Sequence, residues 1–168
     1  MPTLADSVGR TEQKLEYARL ALGVHRDNAS RHSGDAFERS QLEAFFFHFS
    51  GALDSFLHEL NFHYELGLAI ENVSRRTIRE KVVSLHLACP PFDALQQQEN
   101  DPNSYLALAK SMRNFIAHRG GLPMAHYFNG PTNLVHPTTR QEFNMDSNQL
   151  LTAWLYDLQA LLQSQRTW

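Results

Sequence analysis

Leu42-Glu43-Ala44-Phe45-Phe46-Phe47-His48-Phe49-Ser50-Gly51-Ala52-Leu53-Asp54-Ser55-Phe56-Leu57-His58-Glu59-Leu60 is the stretch that decides the fold class. Leu42, Phe45, Phe46, Phe49, Leu53, Phe56, Leu57 and Leu60 recur at gaps of 3, 1, 3, 4, 3, 1 and 3. That is the period of one helical face and not of a strand. The pattern predicts a central core helix from about Asp35 to Leu66. A second row, Ala44, His48, Gly51 and Ser55, is small apart from the histidine and can admit a close neighbour. With Phe47 outside the main stripe, it implies cover on two sides, from the bundle or from a second copy of the chain. A third row, Asp54, His58, Asn61 and Glu65, reads as a polar face, where Asp54 and His58 are candidate substrate-binding groups.

Working outward, residues 4 to 24 carry Leu4, Val8, Leu15, Ala18 and Leu22 on one side and predict a first helix ended by Gly23. Val24 to Gly34 then reads as a connector with His25 and His32 solvated. On the other flank, a helix from Ser74 to Ala88 is expected, capped by Asn72 or Ser74, with Ile78, Val82 and Leu85 inward. Its Arg75, Arg76, Arg79 and Lys81 are the most basic stretch, either a solvated face or a phosphate-steering one. Cys89-Pro90-Pro91 breaks the chain, and a short helical turn follows at Phe92 to Gln98. Asp101 as cap and Pro102 at the first position open the next helix, whose Tyr105, Leu108, Ala109, Met112 and Ile116 form an inward stripe.

Gly120 to Phe143, with several prolines and glycines, is an irregular segment long enough to suggest a functional loop. Tyr127-Phe128 and Leu134-Val135 are candidate arms of a hairpin around Asn129-Gly130, weakened by Pro131. A last helix, capped by Asp146 or Ser147, brings Leu150, Leu151, Trp154, Leu155, Leu158, Leu161 and Leu162 to the core. The expectation is an all-α, antiparallel up-and-down bundle of four to five helices. It forms a single domain over residues 1–168, with an irregular insertion at about 120–145 before the last helix.

A chain of 168 residues, 42% hydrophobic, can bury a proper core. Its formal charge of -3 gives no broad basic surface for long nucleic acid, although a local basic cleft is compatible with it. One cysteine, Cys89, excludes an internal disulfide framework. The polar run Met1 to Arg10 carries no signal-like apolar region, and no run has the length of a membrane span, so the cytoplasm is the expected compartment. His58 and His63 are five apart and diverge by about 140° on a helix, unlike zinc ligands at i and i+4. A site gathered from His48, His58 and His86 has no carboxylate spacing to single it out, and no metal or cofactor is expected.

Chemistry concentrates in Ser111-Met112-Arg113-Asn114-Phe115-Ile116-Ala117-His118-Arg119-Gly120-Gly121. Asn114 and His118 lie together roughly opposite the inward stripe, with Arg113 near its border. The glycines stop the helix and leave His118 in its final turn. Histidine titrates close to neutral pH and arginine is a permanent cation, a pair suited to moving protons beside a phosphate. A plain solvated helix face explains the same residues.

Arg113-Asn114-Phe115-Ile116-Ala117-His118, followed by Arg119-Gly120, resembles the signature of the HEPN superfamily: Arg, four to six residues, then His, often with Asn directly after the Arg. The resemblance implies a four- to five-helix bundle, commonly dimeric, in which Arg113 and His118 meet their symmetry mates in a cleft. In active members such a cleft cuts RNA without a metal, and many members are non-catalytic. By this resemblance Arg113, Asn114 and His118 are candidate catalytic residues. Lys110, Arg119 and, from the loop, Tyr127 join Asp54 and His58 as candidate substrate contacts. The expected partners are a second copy of the chain, an RNA substrate, and an antitoxin or other protein as in toxin–antitoxin pairs. Two functions stay open: a metal-independent endoribonuclease or RNA-binding protein, and a non-catalytic dimerisation or interaction module.

Overall fold

The phenylalanine-rich segment forms a helix, α2 (Asp35–His63), that stops short of the expected Leu66. The computed structural model describes residues 3–29, 35–119, 121–126 and 132–166, with the backbone alone for Asn28, Ala29, Asp35, Arg119 and His126. Phe45, Phe46, Phe49 and Phe56 have no exposed surface. Each such side chain contributes about 1.5–3 kcal/mol on burial, so α2 dictates what must pack around it.

The first helix, α1 (Leu4–Ala29), covers one side of α2 and runs antiparallel to it. Lys14 lies along Gly51, where an added Cβ would meet its Cδ at 3.2 Å, and Tyr17 meets the His48 ring at 5.2 Å. The small row of α2 is thus filled from within the chain. On another side stands α5 (Tyr105–Arg119), where Tyr105 meets Phe49 edge-on at 6.5 Å. Just past the far end of α5, the Leu122 N–H donates to Glu43 at 3.2 Å, so α5 is also antiparallel to α2.

The last helix, α6 (Ser147–Gln165), brings Trp154 to Phe46 and pairs antiparallel with α1, Arg19 donating to Gln159 at 3.1 Å. Four long helices alternate up and down, and the shorter α3 (Arg75–Ser84) and α4 (Pro90–Asn100) lie between α2 and α5 in sequence. The architecture is predominantly all-α, with six α-helices among the described residues. None of them is long and apolar enough to cross a membrane.

One buried ion pair ties the ends together. Glu59 on α2 is fully buried and accepts two bonds from Arg166 just past α6, Nε to Oε2 at 2.9 Å and Nη2 to Oε1 at 2.8 Å. Glu12 of α1 takes a third bond from the same guanidinium. Such a planar fork matches a carboxylate at two points and satisfies a charge that would otherwise be very costly to bury.

Several local expectations are corrected. Gly23 does not end α1, which continues to Ala29, so His25 is 1% exposed rather than solvated in a loop. Its Nε2 lies 3.2 Å from the Ser147 hydroxyl, while Nδ1 has no hydrogen-bond partner among the described residues. His32 lies outside the described residues. Asn61, expected on a polar face, is buried because its amide brackets the turn after α2, donating to Leu68 O and accepting from Leu68 N, both at 3.0 Å. Leu85 is exposed, because α3 has already ended at Ser84. The helix of α4 is longer than the expected turn and starts on Pro90-Pro91. Ser104, not Asp101, caps α5: its Oγ accepts from the Ala107 N–H at 3.1 Å.

The expected insertion before the last helix is present, and its described residues are more ordered than expected. It holds an antiparallel sheet of β1 (Met124–His126), β2 (Thr132–Val135) and β3 (Glu142–Asp146), in that order. Met124 pairs with Leu134 and His126 with Thr132, so the described residues opposite the expected arm Leu134-Val135 are Met124–His126. Residues 127–131 lie outside the described residues. The sheet rests on the bundle through fully buried Leu134 and through Phe143, whose ring meets Trp154 at 6.0 Å. β3 runs straight into α6, and Asp146 caps that helix by accepting from the Asn148 and Gln149 N–H groups.

Arg166→Ala strands the Glu59 charge in the core and is expected to cost about 3–5 kcal/mol in urea denaturation. Glu59→Leu with Arg166→Met removes both charges and should recover most of that loss, whereas equal damage in both variants would mean that the fork contributes packing alone. Burial pulls His25 below its ordinary 6.5, against Glu38 and Asp146. Burial also lowers His48, with Lys14, and His58, with Arg10 and against Asp54. The unfolded chain therefore binds more protons just below that value, and stability should fall as pH drops below about 6.5. Unfolding free energies of His25→Gln, measured from about pH 7 to about pH 5, should slope less than the parent's.

Candidate functional site

Packing of Leu108, Ala109, Met112 and Ile116 into the core fixes how α5 is turned about its axis. Ser111, Asn114, Phe115 and His118, at gaps of 3, 1 and 3, share a different face. Asn114 and His118 are exposed and Ser111 and Phe115 half-buried. These four side chains form one wall of an open groove of about 480 Å³. The opposite wall is Pro137, Thr138 and Arg140, from the short connection between β2 and β3.

That connection is held by its own backbone. The His136 N–H donates to Gln141 O at 2.8 Å, and the Arg140 N–H donates to His136 O at 3.0 Å. His136 Nδ1 accepts from the Thr138 and Thr139 N–H groups at 3.1 and 3.0 Å. Arg140 closes the turn in the left-handed region, with φ of 63°. Its guanidinium lies over the Phe115 ring, 5.1 Å from the ring centre. The turn thus holds a permanent cation against α5 beside His118.

The sequence candidates are not all brought together. Arg113 is half-buried and does not line this groove among the described residues; its Nη1 donates to Asn114 Oδ1 at 3.4 Å, on the shoulder of the wall. Five residues of helix turn it about 140° from His118, so among the described residues the cation lining the groove is Arg140. Lys110 faces another groove and lies 3.6 Å from Glu99. Asp54 and His58 line a third, of about 250 Å³ between α1 and α2, with Ser7, Arg10, Lys14 and Ser55. Arg119 closes α5 with its backbone alone described, and Tyr127 lies outside the described residues. His48 is turned to Tyr17, and His86 sits after α3 with φ of 51°. Among the described residues no group of three or more His, Cys, Asp or Glu gathers as a metal site would require.

Residues 3–168 match the family model of DUF6586, a family of unknown function. The chain belongs to this family. No curated protein and no solved structure matches it.

Ser111 and Phe115 were accessible to sequence reasoning, since both share the spacing of Asn114 and His118. Arg140 was not: Pro137-Thr138-Thr139-Arg140 announces a turn, and nothing in it says which helix the turn will meet. In this DUF6586 chain the groove offers two hydroxyls, an amide, an imidazole and a guanidinium around an open space. Such a set binds an oxyanion and can exchange a proton with a group next to it.

A non-glycine residue in the left-handed region gives up roughly 1–2 kcal/mol. An exposed cation–π contact returns about 0.5–1 kcal/mol. Arg140→Gly is therefore expected to keep the unfolding free energy at or slightly above the parent's, while the groove loses its cation. Calorimetric scans with and without inorganic phosphate check both halves: the anion should raise the melting temperature of the parent more than that of the variant. A variant melting well below the parent would show that Arg140 holds the sheet in place instead.

Proposed function

We propose that this chain is a HEPN-like, metal-independent endoribonuclease of the cytoplasm, acting as a homodimer. The observation that carries the reading is the exposed His118 beside Asn114 and across the groove from Arg140, a proton carrier next to a fixed positive charge. His118 takes the proton of a ribose 2′-hydroxyl. The freed oxygen attacks the adjacent phosphorus, the bond to the 5′-oxygen breaks, and a 2′,3′-cyclic phosphate forms. The leaving 5′-oxygen needs a proton from a second acid, a role that the other copy of the same histidine fills in a dimer cleft. Arg140, with Arg113 from the shoulder, balances charge that builds on the phosphate oxygens. Asn114 orients substrate or imidazole.

Cleavage of a labelled RNA in the presence of a chelator tests this. His118→Ala should slow cutting about 10²–10⁴-fold. Unchanged cutting by that variant, or intact RNA with the parent, would remove the assignment.

A second reading draws on a different observation: Tyr17, Leu20 and Val24 on α1 and Phe37 and Phe47 on α2 are exposed. They support a non-catalytic module that binds a second copy, an antitoxin or another protein through these helices. Under that reading Leu20→Glu with Phe47→Glu abolishes assembly seen by sedimentation, and RNA stays whole.

A further inference from the structure

The basic stretch of the sequence folds into a second groove, which the reaction above does not use. Arg75, Arg76 and Arg79 of α3, Gln96 and Glu99 of α4 and Lys110 of α5 line a space of about 530 Å³. Its charges are held rather than loose. Glu99 is largely buried and shared by Arg75, at 2.8 Å, and Lys110, at 3.6 Å. Arg76 pairs with Glu80 at 2.8 Å on the solvent side. With the Gln96 amide turned so that its oxygen faces α3, Arg79 Nε and Nη2 both donate to it. A neutral acceptor positions that guanidinium without cancelling its charge. Four cations against two carboxylates leave the groove positive, on a chain whose formal charge is -3.

Both grooves take part of their wall from α5. Lys110, Asn114 and His118 recur every four residues, so they form one row along the helix, with Arg113 beside it. At 1.5 Å per residue the row covers about 12 Å. An extended polyanion meets this row lengthwise, whereas a single small anion would occupy one end only.

We propose that the α3–α4–α5 groove binds the flanking phosphates of a single-stranded RNA whose reacting phosphodiester lies at His118. The inference rests on the nuclease reading, and its test separates the two. Arg79 and Lys110 hold the strand through charge, so they set affinity and its salt dependence while taking no part in bond breaking.

Fluorescence anisotropy with a labelled RNA of about 12 nucleotides, in the His118→Ala background to keep it intact, measures binding across a salt series. Arg79→Gln with Lys110→Gln leaves Glu99 paired to Arg75, so the fold is retained, which circular dichroism verifies. The double variant should bind about tenfold more weakly, with the salt slope reduced by roughly 0.7 for each phosphate that no longer meets a cation. Arg19→Gln, on the α1–α6 side, should change neither quantity. A double variant with parental affinity and slope, while Arg140→Ala still weakens binding, overturns this groove and leaves the nuclease reading in place. RNA that fails to bind at all overturns both.

Discussion

The structure depends on a helix that cannot be left uncovered. With Phe45, Phe46, Phe49 and Phe56 all sealed, α2 needs neighbours around most of its circumference, and α1, α5 and α6 supply them. That requirement sets the rotation of α5, since only the face with Leu108, Ala109, Met112 and Ile116 can meet the core. The outward position of Asn114 and His118 is a consequence of core packing, not an independent feature.

The groove needs a second arrangement besides. Its cation stands on the sheet, which is docked by the Phe143 contact to Trp154, by buried Leu134 and by the Thr132 hydroxyl, which donates to Glu38 at 3.3 Å. Glu43 anchors the start of the insertion through the Leu122 N–H. Carboxylates near the start of α2 therefore position the wall facing His118, although neither lines the groove. The buried fork of Glu59 and Arg166 acts at the far end of α2 and fixes how α6 leaves the bundle.

Much of the bundle was legible because periodicity reports burial directly. The stripes of α2, α5 and α6 predicted their buried faces, and the small row of α2 predicted a close neighbour. The helix boundaries failed where a residue has two meanings. Gly23 stops helices in general, yet Leu15, Ala18, Leu22 and His25 continue one stripe through it, and the stripe prevailed. Asn61 and His25 look polar in sequence, but buried polar groups are accepted where a partner waits, and those partners lie far along the chain or in a turn. The sheet was legible only in Leu134-Val135, the expected hairpin arm that falls in β2; Met124–His126 and Glu142–Asp146 were not, because these strands are short and pairing between Met124 and Leu134 is a tertiary fact. Arg140 shares no local pattern with the helix that it faces.

That division of the groove between a helix and a small sheet has a thermodynamic consequence. Three short strands open more readily than four long interlocked helices, so exchange of the β2–β3 connection can occur while the scaffold stays intact. His118 stands on the helical scaffold and Arg140 on the turn, so an opening confined to the sheet would part the two. A ligand that touches both halves favours the closed form by its own binding free energy. Ligand occupancy and the docking of the small sheet would then be linked by mass action.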